Sequence, residues 1–189
     1  MSRSFFTCRP LVAFATVLSI GTLLLLWAPM SGAEDSGGKF SPYVDSSGGI
    51  TLPKDFRGNW THLGTWALAD SFHDVYTQPG SVEAFRRDGK FPDGTALVKE
   101  IRKSESGKKT TGQVSWAGAQ IVQWFVMIKD SKGRFPNNRI WGDGWGWALY
   151  KADAPKVNIA KDYKIDCIGC HIPAKGTDWV YVEGYPTLK

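Results

Sequence analysis

Three residues near the end of the chain have the types and the spacing of a haem attachment site. In the stretch IDCIGCHIPA, two residues separate Cys167 from Cys170, and His171 follows directly. In c-type haem proteins, two thiols with this spacing add across the haem vinyl groups, and the imidazole of the next residue reaches the iron. The motif therefore predicts one covalently attached haem c per chain, tethered by Cys167 and Cys170, with His171 as the ligand of the iron.

Two other kinds of site also use a C-x-x-C pair. A disulfide across so short a gap would be strained and easily reduced. A thioredoxin-like redox pair needs a strand-to-helix context with βαβ units, and nothing in the sequence supplies it. The third cysteine, Cys8, lies in a segment that we expect to be removed, so the exported domain would hold no further cysteine. The adjoining His171 then favours haem attachment.

Residues 1–33 have the features of an export signal. Two arginines precede the apolar run Leu11–Trp27, and Ser31 and Ala33 supply the small residues of a cleavage site. We predict cleavage after Ala33 and a periplasmic location. An uncleaved membrane anchor is the alternative, because the apolar run is long for a signal core and short for a membrane span.

The remaining chain has the length of one ordinary domain. Its first part is rich in glycine, serine and aspartate, so we predict a flexible leader over residues 34–51 and a haem domain over residues 52–189. The chain has a net charge of +5, with its densest basic stretch at Arg102–Lys109. We interpret that stretch as a solvated loop without interleaved aromatic residues, so nucleic acid is not expected as a partner.

Segments with the pattern of strands dominate the domain. Aromatic and β-branched residues or period-two alternation mark HLGTWALA, FHDVYTQ, TALVKEIRK, AQIVQWFVMIKD and GWGWALYK. Helical spacing occurs between Pro79 and Gly89, and a second helix is expected within Val157–Asp166. We therefore predict a mostly β (α+β) domain, in which an antiparallel sheet is accompanied by a few short helices.

The strand predicted from AQIVQWFVMIKD is apolar on both faces. Alternation puts Val122, Trp124, Val126 and Ile128 on one face, and Ile121, Phe125 and Met127 on the other. A strand of this kind is buried on two sides, by a second layer, a haem or a partner subunit.

The position of the haem motif excludes two common classes of cytochrome. Small cytochromes with a methionine ligand carry the motif early and the methionine downstream, but no methionine follows His171. Four-helix cytochromes c′ need long helices, which are absent from the pattern. The chain instead resembles the cytochromes P-460 over nearly all of residues 52–189, through LPKDFRGNW, HDVYTQPGSVEAF, GKFPDGTALVKE, VMIKDSKGRF and CIGCHIPAKGTDWVYVEGYPTL.

The resemblance implies an exported, β-rich homodimer with one c-type haem per subunit, which oxidises hydroxylamine and passes electrons to a soluble acceptor. In enzymes of this family the lysine of VKE, which matches Lys99, is bonded to the porphyrin rim. On its strand Lys99 shares a face with Leu97 and Ile101, where burial would favour the neutral, nucleophilic amine. The alternative is a lysine whose stem packs while its ammonium reaches solvent. We place Lys99 in the haem pocket, as a cofactor-binding and catalytic residue.

Relatives called cytochromes c′-beta share this fold, lack the lysine cross-link and bind nitric oxide. A non-enzymatic protein that binds nitric oxide or transfers electrons is therefore the alternative function. An apolar pocket wall that includes Phe125 and Met127 would suit nitric oxide better than proton-coupled oxidation.

The groups that face the iron opposite His171 are less defined by the sequence. His62 or His73 could provide a sixth ligand, but neither matches a ligand in the family pattern, so we expect an open position that binds hydroxylamine or nitric oxide. Oxidation of hydroxylamine also needs a base for its protons. Asp162 and Asp166 are candidates only because they precede the motif, and helix-end and surface roles explain them better.

Overall fold

A six-stranded antiparallel sheet organises the domain in the computed structural model, which describes residues 40–189 of the chain. The strands follow the order β1-β2-β3-β4-β6-β5 across the sheet. Their bounds are β1 (Thr61–Leu68), β2 (Ser71–Thr77), β3 (Ala96–Lys109), β4 (Gly112–Lys129), β5 (Trp141–Gly142) and β6 (Trp145–Lys151). The predicted fold class, a mostly β domain with an antiparallel sheet and a few short helices, is confirmed.

Four short α-helices accompany the sheet among the described residues: α1 (Phe56–Asn59), α2 (Ser81–Asp88), α3 (Tyr163–Asp166) and α4 (Ile168–His171). Three 3₁₀ turns follow α4, at Ile172–Thr177, Val182–Gly184 and Pro186–Leu188. The predicted helix between Pro79 and Gly89 corresponds to α2, which ends where Gly89 takes a left-handed φ of 67°.

The helix predicted within Val157–Asp166 is wrong over most of its length. Only α3 is helical there, because the Asp162 side chain accepts the backbone N–H of Lys164 and starts the helix at Tyr163. Asn158 takes up other hydrogen bonds, since its side-chain oxygen accepts the backbone N–H groups of Leu149 and Ala160. The side chains of this stretch therefore support an extended approach to the helix.

The central strands are buried on both faces. On one face Val98, Val126 and Ile128 pack with α1 and the segment before it, and on the other Leu97 and Met127 pack with α2 and the C-terminal segment. The predicted face of Ile121, shared with Phe125 and Met127, is wrong, because Ile121 packs on the opposite face with Val126 and Ile128. The pairing register shifts between Ile101 and Arg102, so that the alternation along β4 changes at Val122.

The expectation of a flexible leader over residues 34–51 does not describe residues 40–51. Ser41, Val44 and Ile50 are buried, and Val44 pairs with Ile50 in an isolated bridge. The hydroxyl of Tyr150 donates to the Ile50 carbonyl, which attaches this segment to the sheet.

Residues 1–39, and with them the predicted export signal and its cleavage site, lie outside the described residues. No helix among residues 40–189 has the length and apolar character to cross a membrane.

The interpretation of Arg102–Lys109 as a loop is wrong. This stretch is the outer half of β3, and beyond Lys103 it pairs with β4 alone. Its polar side chains face solvent while the ladder satisfies the backbone, and the Glu105 carboxylate accepts from the Trp116 indole. Beyond Lys103, β3 and β4 therefore form a two-stranded ribbon that extends past the pairing with β2.

Candidate functional site

A cavity of about 230 Å³ lies between one face of the sheet and the C-terminal segment. The four residues predicted for the site, Lys99, Cys167, Cys170 and His171, all line it. Lys99 comes from the first half of β3, and the other three come from α4 and the residue before it. The fold therefore brings together a strand lysine and a C-x-x-C-H motif that lie far apart in the sequence.

The two cysteines differ in their exposure. Cys167 lies between α3 and α4 and is buried, whereas Cys170 lies within α4 and is exposed, and both are free thiols. Burial raises the pKa of the Cys167 thiol to about 12, so this sulfur keeps its proton near neutral pH. A protonated thiol has the S–H bond that adds across a vinyl group when a thioether forms.

His171 is held in a defined tautomer. Its Nδ1 lies 2.8 Å from the carbonyl oxygen of Trp179, which can only accept, so Nδ1 carries the hydrogen. Trp147 contacts the imidazole edge to face, with the ring centroids 4.9 Å apart. Burial lowers the pKa of His171 and favours the neutral ring. The lone pair of Nε2 is then available to a metal, as a haem ligand requires.

Lys99 lies in an apolar part of the cavity wall. It pairs with Val75 of β2 and Phe125 of β4 across the sheet, and Leu97 on the same strand also lines the cavity. Its Nζ is 4.4 Å from the centre of the Phe125 ring. Burial lowers the pKa of Lys99, so a larger share of the amine is neutral than in water.

Neither of the other two histidines lines the cavity. The ring of His62 is on the exposed part of β1, where its Nε2 contacts the carboxylate of Asp74. His73 of β2 contacts the hydroxyl of Ser71, and burial lowers the pKa of its ring. Both are engaged elsewhere in the sheet.

The two acidic candidates, Asp162 and Asp166, differ in their position relative to the cavity. Asp162 caps α3, forms an ion pair with Arg139 at 2.6 Å and does not line the cavity. Asp166 does line the cavity, and its Oδ2 accepts the backbone N–H groups of Lys161 and Asp162. These hydrogen bonds lower the pKa of Asp166, which keeps it ionised. The structure therefore brings one of the two predicted carboxylates to the site.

Three aromatic residues of the cavity wall had no predicted role. Trp147 comes from β6, while Tyr181 and Tyr185 are brought in by the turn Val182–Gly184. Burial raises the pKa of Tyr185 to about 12, and the Tyr181 hydroxyl donates to the carbonyl of Cys170. Both tyrosines lie in the block DWVYVEGYP, which is part of the family resemblance. The local sequence pattern around them does not indicate that they line a cavity.

The donor set of the cavity fits a c-type haem. Two thiols at the motif spacing, an imidazole whose Nε2 has no hydrogen-bond partner among residues 40–189, and apolar walls from Leu97, Phe125 and Met127 surround one space. Thiols would tether the vinyl groups, the imidazole would bind the iron, and the apolar walls would contact the macrocycle.

Comparison with protein families matches residues 53–182 to the family described as Cytochrome P460. The match covers the sheet, the C-x-x-C-H motif and Lys99. Comparison with curated proteins gives no match.

Proposed function

Because the chain belongs to the cytochrome P460 family of c-type haem cytochromes, we propose that it oxidises hydroxylamine at a haem held by Cys167, Cys170 and His171. The observation that carries this proposal is the position of Lys99. Its amine lines the same cavity as the two thiols and the imidazole, and burial lowers its pKa. A lysine in this position can modify the porphyrin, which a simple electron carrier does not need.

Each of the protein groups has a separate task in this proposal. Cys167 and Cys170 would hold the cofactor through thioether bonds, and His171 would bind the iron through Nε2 while Nδ1 donates to the carbonyl of Trp179. The haem, when bound, supplies an iron that takes up electrons from the nitrogen of hydroxylamine. The aromatic and apolar walls limit the access of water to the bound substrate.

The proposed task of Lys99 is a bond from Nζ to a carbon of the porphyrin rim. This bond replaces one N–H and one C–H bond, so two electrons and two protons leave. We propose a peroxide as the oxidant. In the case of hydrogen peroxide, the two electrons and two protons would reduce it to two molecules of water. A neutral amine is the reactive form, and the lowered pKa of Lys99 increases its share.

Oxidation of hydroxylamine releases protons as well as electrons. Asp166 is the carboxylate that lines the cavity, and its side chain is also exposed to solvent. We propose that Asp166 transfers these protons from the cavity to water. Its low pKa suits rapid release to solvent rather than storage of the proton.

A specific observation favours a second function, the binding of nitric oxide without turnover. Leu97, Phe125 and Met127 form an apolar wall, and Asp166 is already bonded to two backbone amides. A small uncharged ligand suits such a wall better than a reaction that must transfer protons. The two functions share the same haem and the same residues that attach it.

Further parts of the proposal rest on the family resemblance. We propose that residues 1–33 direct export to the periplasm and are removed after Ala33. The mature protein then forms a homodimer with one haem per subunit and passes its electrons to a soluble acceptor.

Hydroxylamine-dependent reduction of a soluble dye tests the main proposal. The wild type is expected to reduce the dye, and Lys99→Ala to lose this activity while it keeps its haem. Lys103→Ala is the matched control, because Lys103 lies on the same strand but forms an exposed ion pair with Asp70. Haem-loaded wild type that binds nitric oxide but shows no turnover would support the second function instead.

A further inference from the structure

Two consecutive residues close to His171 have a left-handed backbone. Asp178 has a φ of 57° and Trp179 a φ of 67°, directly after the 3₁₀ turn Ile172–Thr177. This conformation is uncommon for residues other than glycine, and it suits aspartate better than a bulky tryptophan. Contacts from the rest of the domain must therefore hold the turn.

Three separate parts of the chain hold Asp178. One carboxylate oxygen accepts a hydrogen bond from the ammonium of Lys129. The other accepts one from the backbone N–H of Phe91, with 2.9 Å between nitrogen and oxygen. The main-chain carbonyl of Asp178 accepts the indole N–H of Trp145 at 3.1 Å. The side chains of Lys129 and Asp178 are only 7% and 5% exposed. A buried ion pair with both carboxylate oxygens hydrogen-bonded is a rigid attachment point.

The turn held in this way carries the hydrogen-bond partner of His171. The carbonyl of Trp179 accepts Nδ1–H of His171 at 2.8 Å, and the Trp179 amide donates to Ala174 at 2.8 Å. Hydrogen bonds weaken steeply when their alignment is lost. A small rotation of the turn would therefore change how the imidazole is held.

We propose that Lys129 and Asp178 are positioning residues for His171, which fix the turn and so set the orientation and electron donation of the imidazole. The inference rests on the proposed role of His171 as the ligand of the haem iron. A strong bond from Nδ1–H to a carbonyl makes the ring a better donor and favours the ferric state. Neither Lys129 nor Asp178 lines the cavity, so both act through the turn.

The double variant Lys129→Met/Asp178→Asn tests this proposal in the haem-loaded protein. It removes both charges together, so no unpaired charge is buried, and asparagine tolerates the left-handed backbone. Compared with the wild type, we expect a higher midpoint potential and a lower iron–imidazole stretching frequency in the ferrous resonance Raman spectrum. Arg139→Gln/Asp162→Asn is the control, because it removes an ion pair near the motif that does not contact the turn.

A folded double variant with an unchanged potential and an unchanged stretching frequency would overturn the proposal, even if it unfolded at a lower temperature. Should this variant not fold, Trp145→Phe removes a single hydrogen bond to the same turn. It should shift both quantities in the same directions by a smaller amount, and unshifted values would again overturn the proposal. Wild type without an iron–imidazole band would instead refute the role of His171, which is a separate failure.

Discussion

The amine of Lys99 and the ring of Phe125 face each other across β3 and β4, with Nζ 4.4 Å from the ring centre. An aromatic face stabilises a nearby ammonium, whereas burial disfavours it. Burial lowers the pKa of Lys99, and the neutral amine is the form that can act as a nucleophile. The Phe125 ring lies against this amine inside the cavity, so the two side chains together place a candidate nucleophile next to the C-x-x-C-H motif.

The first prediction concerns the attachment of the haem. Two free thiols at the C-x-x-C-H spacing line one cavity with His171, so we expect two thioether bonds. After maturation by a c-type assembly system, extraction with acidified acetone should leave the colour with the protein. The double variant Cys167→Ala/Cys170→Ala should lose its pigment or release it into the solvent.

The control for this experiment is the wild type, extracted in the same way. Cys8→Ala should behave like it, because the sequence places Cys8 in the predicted export signal. Wild-type haem that passed into the organic layer would contradict covalent attachment.

The second prediction is an iron with an open position. Neither His62 nor His73 lines the cavity, and both contact other residues of the sheet. The ferrous protein should therefore be five-coordinate and high-spin, and should bind carbon monoxide or nitric oxide, as absorption and resonance Raman spectra can show.

Met127 provides the sharpest control for the open position, since it lines the cavity and carries a thioether. Met127→Leu keeps the volume and apolar character of the side chain and should leave the ferrous spectrum unchanged. A six-coordinate, low-spin wild type that became five-coordinate in this variant would identify Met127 as a ligand and refute the prediction.

The third prediction concerns stability and pH on the opposite face of β3. Glu100 is buried and accepts hydrogen bonds from Arg57, Arg102 and the indole of Trp124. Burial alone would raise the pKa of Glu100, but these hydrogen bonds outweigh it and hold the pKa below its ordinary value. Glu100→Gln should lower the free energy of unfolding by about 3 kcal/mol near neutral pH, as measured in urea.

The pH dependence of this effect follows from the direction of the pKa shift. A carboxyl with a lowered folded-state pKa stabilises the protein above its unfolded pKa, which is about 4.3, and loses this contribution as the pH falls through the folded value. The difference between the wild type and Glu100→Gln should therefore shrink in acid. Asp88→Asn, in an exposed ion pair with Arg87, should show no measurable change, and an equal effect of both variants would count against the burial argument.

The sequence predicts the local parts of this fold better than the long-range ones. The strand patterns and the spacing from Pro79 to Gly89 depend on neighbouring residues, and the structure has β-strands and α2 there. The shift at Val122 and the outer half of β3 depend instead on pairing with another strand. Patterns within one segment contain no information about a partner strand that lies elsewhere in the chain.

The same limit applies to the candidate site. The motif from Cys167 to His171 is contiguous, and the strand pattern gives the face of Lys99, so both could be derived from short stretches. The bond from Phe91 to Asp178 and the approach of Tyr185 to the cavity join distant parts of the chain. Only the folded structure shows that Asp178 forms a buried ion pair one residue before the carbonyl that receives the hydrogen of His171.

The last prediction separates hydroxylamine oxidation from nitric oxide binding and rests on Lys99. A bond from Nζ to the porphyrin rim would lower the symmetry of the macrocycle and shift the ferrous Soret band to the red. Tandem mass spectrometry should then find the Lys99 peptide joined through one haem to the peptide that contains Cys167 and Cys170. Lys99→Ala should return an ordinary c-type spectrum and lose hydroxylamine oxidation, with both thioether bonds intact.

Two comparisons make the Lys99 experiment decisive. Lys103→Ala should keep the shifted band, because Lys103 lies on the exposed part of the same strand. Lys99→Arg keeps a positive charge, but its guanidinium stays protonated and should form no bond to the rim. This variant should therefore resemble Lys99→Ala, since the reaction needs a neutral amine rather than a charge. Recovery of the wild-type Lys99 peptide at full yield, together with an ordinary Soret band, would refute the cross-link and favour nitric oxide binding.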